Sequence, residues 1–98
     1  MIEHIVLFKW KPETPDDAIA TVMDELKGLK HKIPEIVEIS CGENFSDRAQ
    51  GFQHGLIVRF RNRKDLEIYQ PHPAHTEVIQ NLIQPILAGI LAVDYEVI

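Results

Sequence analysis

The stretch IEHIVLFKW, residues 2–10, decides the fold because it is apolar on both faces of an extended strand. The side chains of a strand point alternately to its two faces. One face carries a histidine among four large apolar side chains: Ile2, His4, Val6, Phe8 and Trp10. The opposite face carries Glu3, Ile5, Leu7 and Lys9. Such a strand is typical of the centre of a sheet, where both faces are covered.

A helix is predicted directly after this strand. Thr14 is suited to cap its N-terminus, and Pro15 is suited to its first helical position. Apolar side chains then recur at spacings of three and four residues, at Ile19, Val22, Met23, Leu26, Leu29 and Ile33. The pattern predicts an amphipathic helix that packs on the sheet and ends before Pro34.

Two further strands are predicted over residues 36–45 and 52–60, and we expect them to pair antiparallel. In the first, alternation places Val37, Ile39 and Cys41 on one face and Ile36, Glu38 and Ser40 on the other. In the second, it places Phe52, His54, Leu56, Val58 and Phe60 on the same face.

The last third of the chain predicts a short helix over residues 64–69, a helix over 73–87 that Pro85 kinks or ends, and a strand over 90–98. The element order is therefore β-α-β-β-α-β. This order predicts an α+β, ferredoxin-like fold with a four-stranded antiparallel sheet and two helices on one of its faces. At 98 residues the chain has room for one domain, spanning residues 1–98.

Two helices cover only one face of such a sheet, yet the first and third strands carry bulky apolar side chains on both faces. An uncovered apolar face would form a large exposed patch, which soluble monomers avoid. We therefore expect a homodimer in which two sheets pack face to face. Alternation leaves open which face meets the helices and which meets a partner or a cavity.

Composition narrows the classes of function. The net charge of −5 argues against nucleic acid as a partner, because binding to phosphates needs clustered Lys and Arg. Cys41 is the only cysteine, which excludes an internal disulfide and a zinc site of several thiolates. No apolar run has membrane-spanning length, and the N-terminus lacks the features of a signal peptide. These features predict a cytoplasmic protein that does not engage a membrane.

The stretch YQPHPAH, residues 69–75, is the candidate site. Pro71 and Pro73 restrict the backbone around a phenol and two imidazoles. His75 can take up and return a proton near neutral pH, because the ordinary pKa of histidine is about 6.5. The Tyr69 hydroxyl can donate a hydrogen bond to a developing enolate oxygen. We expect His72 to lie in the turn with its side chain against the backbone.

Three segments together resemble the stress-responsive A/B barrel (Dabb) family of the dimeric α/β barrel superfamily. They are residues 2–11, residues 51–55 and the turn at residues 69–75. The resemblance covers essentially the whole chain. It implies a dimeric α/β barrel, in which two ferredoxin-like protomers join their sheets.

The resemblance to olivetolic acid cyclase-type members of the family implies a catalytic pair, His75 and Tyr69, with His4 and His54 in the pocket. It implies cofactor-free chemistry of the polyketide cyclase-like lyase kind, in which proton abstraction leads to enolisation, aldol closure or isomerisation. Phe8 and Trp10 are predicted either to line the substrate pocket or to pack in the core. An oxygenase of the related dimeric-barrel type is a further alternative.

Besides the oxygenase, three functions therefore remain open from the sequence. The first is a homodimer that binds a small apolar or aromatic molecule, the second is cofactor-free proton abstraction by His75 and Tyr69, and the third is a structural or stress-protective role without catalysis. Core packing with satisfied hydrogen bonds is the alternative for His4 and His54. The alternative for His75 is a structural role, in which it caps the second helix and hydrogen-bonds a neighbouring backbone group. The histidine spacing matches no helical metal-binding pair, so neither a metal site nor a cofactor is predicted.

Overall fold

The computed structural model describes the whole chain, residues Met1–Ile98. The sheet contains four strands: β1 (Ile2–Trp10), β2 (Ile36–Glu43), β3 (His54–Phe60) and β4 (Leu87–Glu96). All pairs are antiparallel, and the strand order is β2-β3-β1-β4. The three α-helices are α1 (Asp16–Gly28), α2 (Arg63–Tyr69) and α3 (Pro73–Val78). The predicted ferredoxin-like α+β fold with a four-stranded antiparallel sheet is confirmed. None of the helices is long and apolar enough to span a bilayer.

The core lies between the helices and one face of the sheet. The even-numbered side chains of β1, from Ile2 to Trp10, are all buried on this face. They pack with helix residues that are nearly inaccessible to solvent, namely Val22, Leu26, Leu29 and Val78. The face that carries His4 is therefore the helix side, which alternation in the sequence did not decide.

A β-bulge in β2 changes the faces that alternation predicts. The pairing with β3 passes from Ile36↔Phe60 to Glu38↔Arg59, so Val37 is an extra residue in β2. Ile36 is only 5% exposed and packs in the core on the same side as Ile39 and Cys41. The prediction that Ile36 shares a face with Glu38 is therefore wrong, because period-two alternation does not survive an inserted residue.

Helix α1 begins one residue later than predicted. Pro15 is its N-cap rather than its first helical residue. Thr14 does not cap the helix, and its hydroxyl instead donates to the carbonyl oxygen of Lys11 at 2.6 Å. A 3₁₀ turn, Leu29–His31, continues the helix toward Pro34, where the predicted end is respected.

The helix predicted over residues 73–87 is α-helical only as far as Val78. It continues as a π-helical turn, Ile79–Ile83, and a 3₁₀ turn, Gln84–Ile86. Pro85 has no backbone N–H to donate, so the regular hydrogen-bond ladder cannot continue through it. Strand β4 consequently starts at Leu87, three residues earlier than predicted.

No helix covers the opposite face of the sheet, which we call the open face. Its cross-strand neighbours form three rows. The first row is Glu38, Arg59, Glu3 and Tyr95, the second is Ser40, Ile57, Ile5 and Val93, and the third is Gly42, Gly55, Leu7 and Leu91. Ile57, Leu91 and Val93 remain 44%, 47% and 47% exposed. The open face is thus an apolar surface with one charged row, and with Lys9 beyond the third row, opposite Gly89.

Candidate functional site

Tyr69 is the last residue of α2 and is fully buried. The helix is held at its start by Asn62, whose side-chain oxygen accepts from the backbone N–H of Asp65 at 2.9 Å. The Tyr69 ring packs against Phe60 of β3, with ring centroids 5.1 Å apart. Its hydroxyl is buried and has no hydrogen-bond partner in the protein. Buried polar groups without a partner are rare, so this hydroxyl is a donor that a ligand atom or a water molecule would satisfy.

Burial also fixes the protonation state of this phenol. It raises the pKa of Tyr69 well above its ordinary value, because the phenolate is poorly solvated in the core. The hydroxyl therefore stays protonated and is available as a hydrogen-bond donor throughout the neutral pH range.

His75 lies in α3, with its ring centroid 4.2 Å from that of Tyr69 and the two ring planes inclined by 33°. Its Nδ1–H donates to the backbone carbonyl oxygen of Gln70 at 2.9 Å, since a carbonyl oxygen can only accept. In the neutral imidazole the lone pair is therefore on Nε2. Burial lowers the pKa of His75, although the bond to Gln70 opposes this shift. His75 is thus a neutral, oriented imidazole near pH 7.

The turn before α3 places His75 in the first turn of the helix that Pro73 begins. His72 caps this helix, because its Nδ1 accepts from the backbone N–H of Ala74 at 3.1 Å. Pro73 occupies the first helical position, where a missing N–H costs nothing. The His72 side chain is therefore engaged with the backbone, as expected.

His4 approaches Tyr69 from the sheet, edge to face, with ring centroids 5.8 Å apart. The Nδ1–H of His4 donates to the carboxylate of Asp94, which is its direct cross-strand neighbour on β4. This bond fixes the orientation of the imidazole and does not involve its second nitrogen, Nε2. Asp94 is a site residue that the sequence did not predict. The antiparallel register of β1 with β4 places Asp94 beside His4, and no local sequence pattern specifies that register.

His54 does not join this cluster. It is the cross-strand neighbour of Phe8, whereas His4 is opposite Val58, four residues farther along β3. At about 3.3 Å per residue, the two histidines are separated by roughly 13 Å along the strands. His54 instead lines a separate cavity of about 500 Å³ between α1 and the segment 44–53.

Phe8 and Trp10 make no ring contact with Tyr69, whose ring neighbours are His4, Phe60 and His75. Both are buried in the core, and their rings are stacked with centroids 5.1 Å apart. The indole N–H of Trp10 donates to Nδ1 of His54 at 2.9 Å. Of the residues predicted for the site, the structure therefore brings together Tyr69, His75 and His4. A role in substrate binding for Phe8, Trp10 and His54 stays a prediction.

A cleft of about 360 Å³ opens between α2 and β4. Its lining includes Gln70 and Asp94, which hold the imidazoles of His75 and His4 respectively. Tyr69, His75 and His4 themselves do not line this cleft. No three His, Cys, Asp or Glu side chains lie close enough together to bind a metal ion. The arrangement offers a hydrogen-bond donor beside an oriented imidazole.

Comparison with known proteins identifies relatives of the chain. A family model for the stress-responsive A/B barrel domain matches residues 2–97. The chain is 33% identical over 96 residues to a stress-response A/B barrel domain-containing protein of Arabidopsis thaliana, and the match covers 97% of this chain and 36% of the relative. The chain thus spans only about a third of the length of that plant protein.

Two solved structures are closely similar. One is a dimeric ferredoxin-like protein of unknown function from Thermobifida fusca, with a TM-score of 0.85, 27% identity and coverage of 98% of this chain and 90% of that one. The other is a hydroxynitrile lyase from Passiflora edulis, with a TM-score of 0.87, 23% identity and coverage of 96% and 90%. The second likeness concerns the fold alone.

Proposed function

The chain belongs to the stress-responsive A/B barrel domain family, and we propose that it is a homodimer that binds a small apolar or aromatic carbonyl compound beside Tyr69, His75 and His4. One observation carries the binding proposal: the buried Tyr69 hydroxyl has no partner in the protein. A ligand carbonyl oxygen accepts from a phenol and removes the cost of leaving that donor unpaired. The Phe60 ring beside Tyr69 provides an apolar wall for the remainder of such a ligand.

Support for the homodimer comes from the open face. Half-exposed apolar side chains such as Ile57, Leu91 and Val93 form a contiguous surface that a second sheet would remove from water. The similar structure from Thermobifida fusca is described as a dimer, and it is 27% identical to this chain. An isologous pairing of two open faces covers the same surface on both protomers.

A second candidate function, cofactor-free proton transfer, is favoured by the state of His75. Its Nδ1 proton is engaged by Gln70 and its pKa is lowered, so a neutral Nε2 is available as a general base. Nε2 takes the proton from the carbon beside the ligand carbonyl, and the electron pair of that C–H bond forms the enolate. The Tyr69 hydroxyl donates to the enolate oxygen. Return of the proton from His75 to carbon then completes an isomerisation or exchange.

Binding is tested with acetophenone and 4-phenyl-2-butanone as probes. We expect ligand-detected NMR to show binding to the wild type, with an affinity about tenfold weaker in Tyr69→Phe, because one hydrogen bond is lost. In the exchange experiment below, the matched control for His75→Ala is His31→Ala, which removes an exposed histidine from outside the site. Equal affinities for wild type and Tyr69→Phe would exclude the hydroxyl as the ligand's partner.

Proton transfer is tested with the same ketones in D₂O. Wild type should exchange the hydrogens beside the carbonyl for deuterium, and His75→Ala should not, while His31→Ala keeps the wild-type rate. Binding without exchange would leave the first proposal standing and remove the second.

The homodimer is tested by sedimentation velocity. Ile57→Lys puts a charge on the open face and should give a monomer, because a buried unpaired ammonium is costly. Ile68 of α2 is similarly exposed but lies on a helix, so Ile68→Lys should leave the dimer intact. A wild type that is monomeric at micromolar concentration would refute the homodimer.

A further inference from the structure

The cavity that His54 lines is separate from the cluster of Tyr69, His75 and His4. It has a volume of about 500 Å³ and lies between α1 and the segment 44–53. We call it the α1 cavity. None of the three clustered side chains lines it, and α1 is on the opposite side of the sheet from the open face. A ligand in the α1 cavity would therefore occupy neither the proposed ketone site nor the proposed dimer contact.

One wall of the α1 cavity is apolar. Ile19 and Met23 are one helical turn apart on α1, and both pack against the core. Phe52 adds an aromatic ring from the segment 44–53. This ring already contacts a cation, since Nζ of Lys9 lies 4.5 Å from its centroid, but Lys9 itself does not line the cavity. The wall is suited to the hydrocarbon or aromatic part of a small molecule.

Two polar side chains of the lining are held by the backbone. The side-chain amide of Asn44 donates to the carbonyl oxygen of Phe52 at 2.9 Å. The side-chain oxygen of Gln53 accepts from the backbone N–H of Trp10 at 3.1 Å. These bonds fix the segment beside the cavity before any ligand arrives, which lowers the cost of ordering it on binding.

The carboxylates of the α1 cavity have no counterion. Asp16 and Glu43 are exposed, and neither forms an ion pair in the protein. The lining contains no lysine and no arginine. A positively charged group is therefore the electrostatic complement of this cavity.

His54 does not supply that positive charge, although it is the direct cross-strand neighbour of Glu43. The indole N–H of Trp10 can only donate, so Nδ1 of His54 accepts this bond at 2.9 Å. In this bonded state the imidazole is uncharged and carries its proton on Nε2. Trp10 does not line the cavity, so the ring edge with Nε2–H is the one that can donate to a ligand oxygen there. The cavity thus offers a carboxylate beside an N–H donor.

We propose that the α1 cavity binds an organic ammonium compound with an aromatic body and a hydroxyl group on the carbon next to the amine-bearing one, as in 2-amino-1-phenylethanol. Asp16 and Glu43 attract the ammonium group, the hydroxyl oxygen accepts from Nε2–H of His54, and the ring packs against the apolar wall. Cross-strand neighbours have Cβ atoms about 5 Å apart, a separation that suits two ligand groups on adjacent carbons. Because the carboxylates are exposed, we expect a dissociation constant on the order of 1 mM.

Binding is tested by titrating the ¹⁵N-labelled wild type with 2-amino-1-phenylethanol at pH 7. Amide shifts in two-dimensional NMR spectra should concentrate in residues 43–54 and in the first two turns of α1. The anion 3-phenylpropionate has a similar body and the opposite charge, so it should not bind measurably. The absence of shifts at about 10 mM amine, ten times the expected constant, would overturn the proposal, and so would equal binding of the amine and the acid.

The role of the carboxylates is tested with a double variant, Asp16→Asn with Glu43→Gln. An exposed charge pair contributes a factor of about two to five in affinity, so the dissociation constant should rise about tenfold. The matched control is Asp17→Asn with Asp47→Asn, which makes the same change in net charge at one residue of α1 and one of the loop, neither of them in the lining. The control should change the constant less than about twofold. Equal weakening in both double variants would refute recognition by the cavity carboxylates.

The role of His54 is tested with 2-phenylethylamine, which lacks the hydroxyl. It should bind the wild type about threefold more weakly, because one hydrogen bond is lost. In His54→Leu the two amines should bind equally. If that variant fails to fold because Trp10 loses its acceptor, the comparison in the wild type decides. Equal affinity of the wild type for both amines would refute the contact between the hydroxyl and His54.

A last variant separates this site from the ketone site. Tyr69→Phe should leave the affinity for 2-amino-1-phenylethanol unchanged, because Tyr69 does not line the α1 cavity. Weaker amine binding in Tyr69→Phe, with shifts around that residue, would place the amine in the ketone site and overturn the assignment to the α1 cavity. Failure of the ketones to bind would refute the proposed function alone.

Discussion

Tyr69 and His75 lie ring against ring, with centroids 4.2 Å apart, although a turn with two prolines separates them in the chain. The turn ends α2 at Tyr69 and starts α3 at Pro73, which brings the two side chains to the same side of the sheet. One ring carries a buried donor without a partner, and the other carries an imidazole with Nε2 free. Three of the following predictions concern this pair, and the fourth concerns the neighbouring His4.

Tyr69→Phe removes the hydroxyl and keeps the ring. Because the hydroxyl has no partner in the protein, its loss breaks no hydrogen bond and relieves a desolvation cost. We expect the free energy of unfolding to rise by about 1 kcal/mol. Urea unfolding with an unchanged m-value measures this difference. Tyr69→Ala, which also empties the ring position, should instead lose about 3 kcal/mol or more. A less stable Tyr69→Phe would show that the hydroxyl bonds to a water molecule.

The raised pKa of Tyr69 predicts that this phenol does not ionise in the folded protein at moderately alkaline pH. We consider a pH of about 11, one unit above the ordinary pKa of tyrosine. As long as both proteins remain folded at this pH, wild type and Tyr69→Phe should show the same tyrosinate absorbance. On unfolding in urea at that pH, the wild type should gain the absorbance of one additional tyrosinate. A larger absorbance of the folded wild type than of Tyr69→Phe would contradict the buried, neutral phenol.

The lowered pKa of His75 links folding to pH. In the unfolded chain His75 titrates near its ordinary pKa of about 6.5, whereas in the folded protein it binds its proton only at lower pH. Between these values the unfolded state holds more protons, so stability falls as pH decreases. The contribution of His75 to the free energy of unfolding is complete above a pH of about 6.5. It is lost as the pH falls through the pKa of His75 in the folded protein.

We therefore expect the wild type to lose more stability than His75→Gln between pH 7 and about pH 5. The comparison cancels the carboxylates, which titrate in both proteins. Urea unfolding at each pH measures the two slopes. Parallel curves for the two proteins would contradict the depressed pKa of His75.

Asp94→Ala leaves the Nδ1–H of the buried His4 without its acceptor. The loss of a partner for a buried donor should lower the free energy of unfolding by about 1–3 kcal/mol. Asp94→Asn keeps an acceptor oxygen at the same position, so it should recover most of this loss. Chemical denaturation of the three proteins at pH 7 provides the measurement. Equal stability of Asp94→Ala and wild type would mean that the bond contributes nothing to the fold.

Much of the fold follows from local patterns. Alternation in Ile2–Trp10 and His54–Phe60 and the three-four spacing of α1 are properties of short segments, because strand and helix periods are local. The errors arise where a single residue breaks the period. Val37 is such a residue in β2, and Pro85 changes the helical geometry over the two turns before β4.

The candidate site was predictable only in part. Tyr69 and His75 are close in sequence and share one turn, so their type and spacing already indicated a donor beside an imidazole. His4 and His54 share the helix side of the sheet, but that face extends along the whole length of the strands. Strand register decides which of them meets the turn, and register depends on long-range pairing rather than on alternation.

By itself, the sequence determined the order of the elements, the apolar character of both sheet faces and the donor and imidazole of the turn, because these depend on residue type and period. Only the tertiary structure decided that His4 meets Tyr69, that Asp94 holds His4, and that Glu38, Arg59, Glu3 and Tyr95 form one row. Those relations join residues far apart in the chain. They exist because antiparallel pairing of four strands selects one register, the one that buries the even-numbered side chains of β1 beneath the helices.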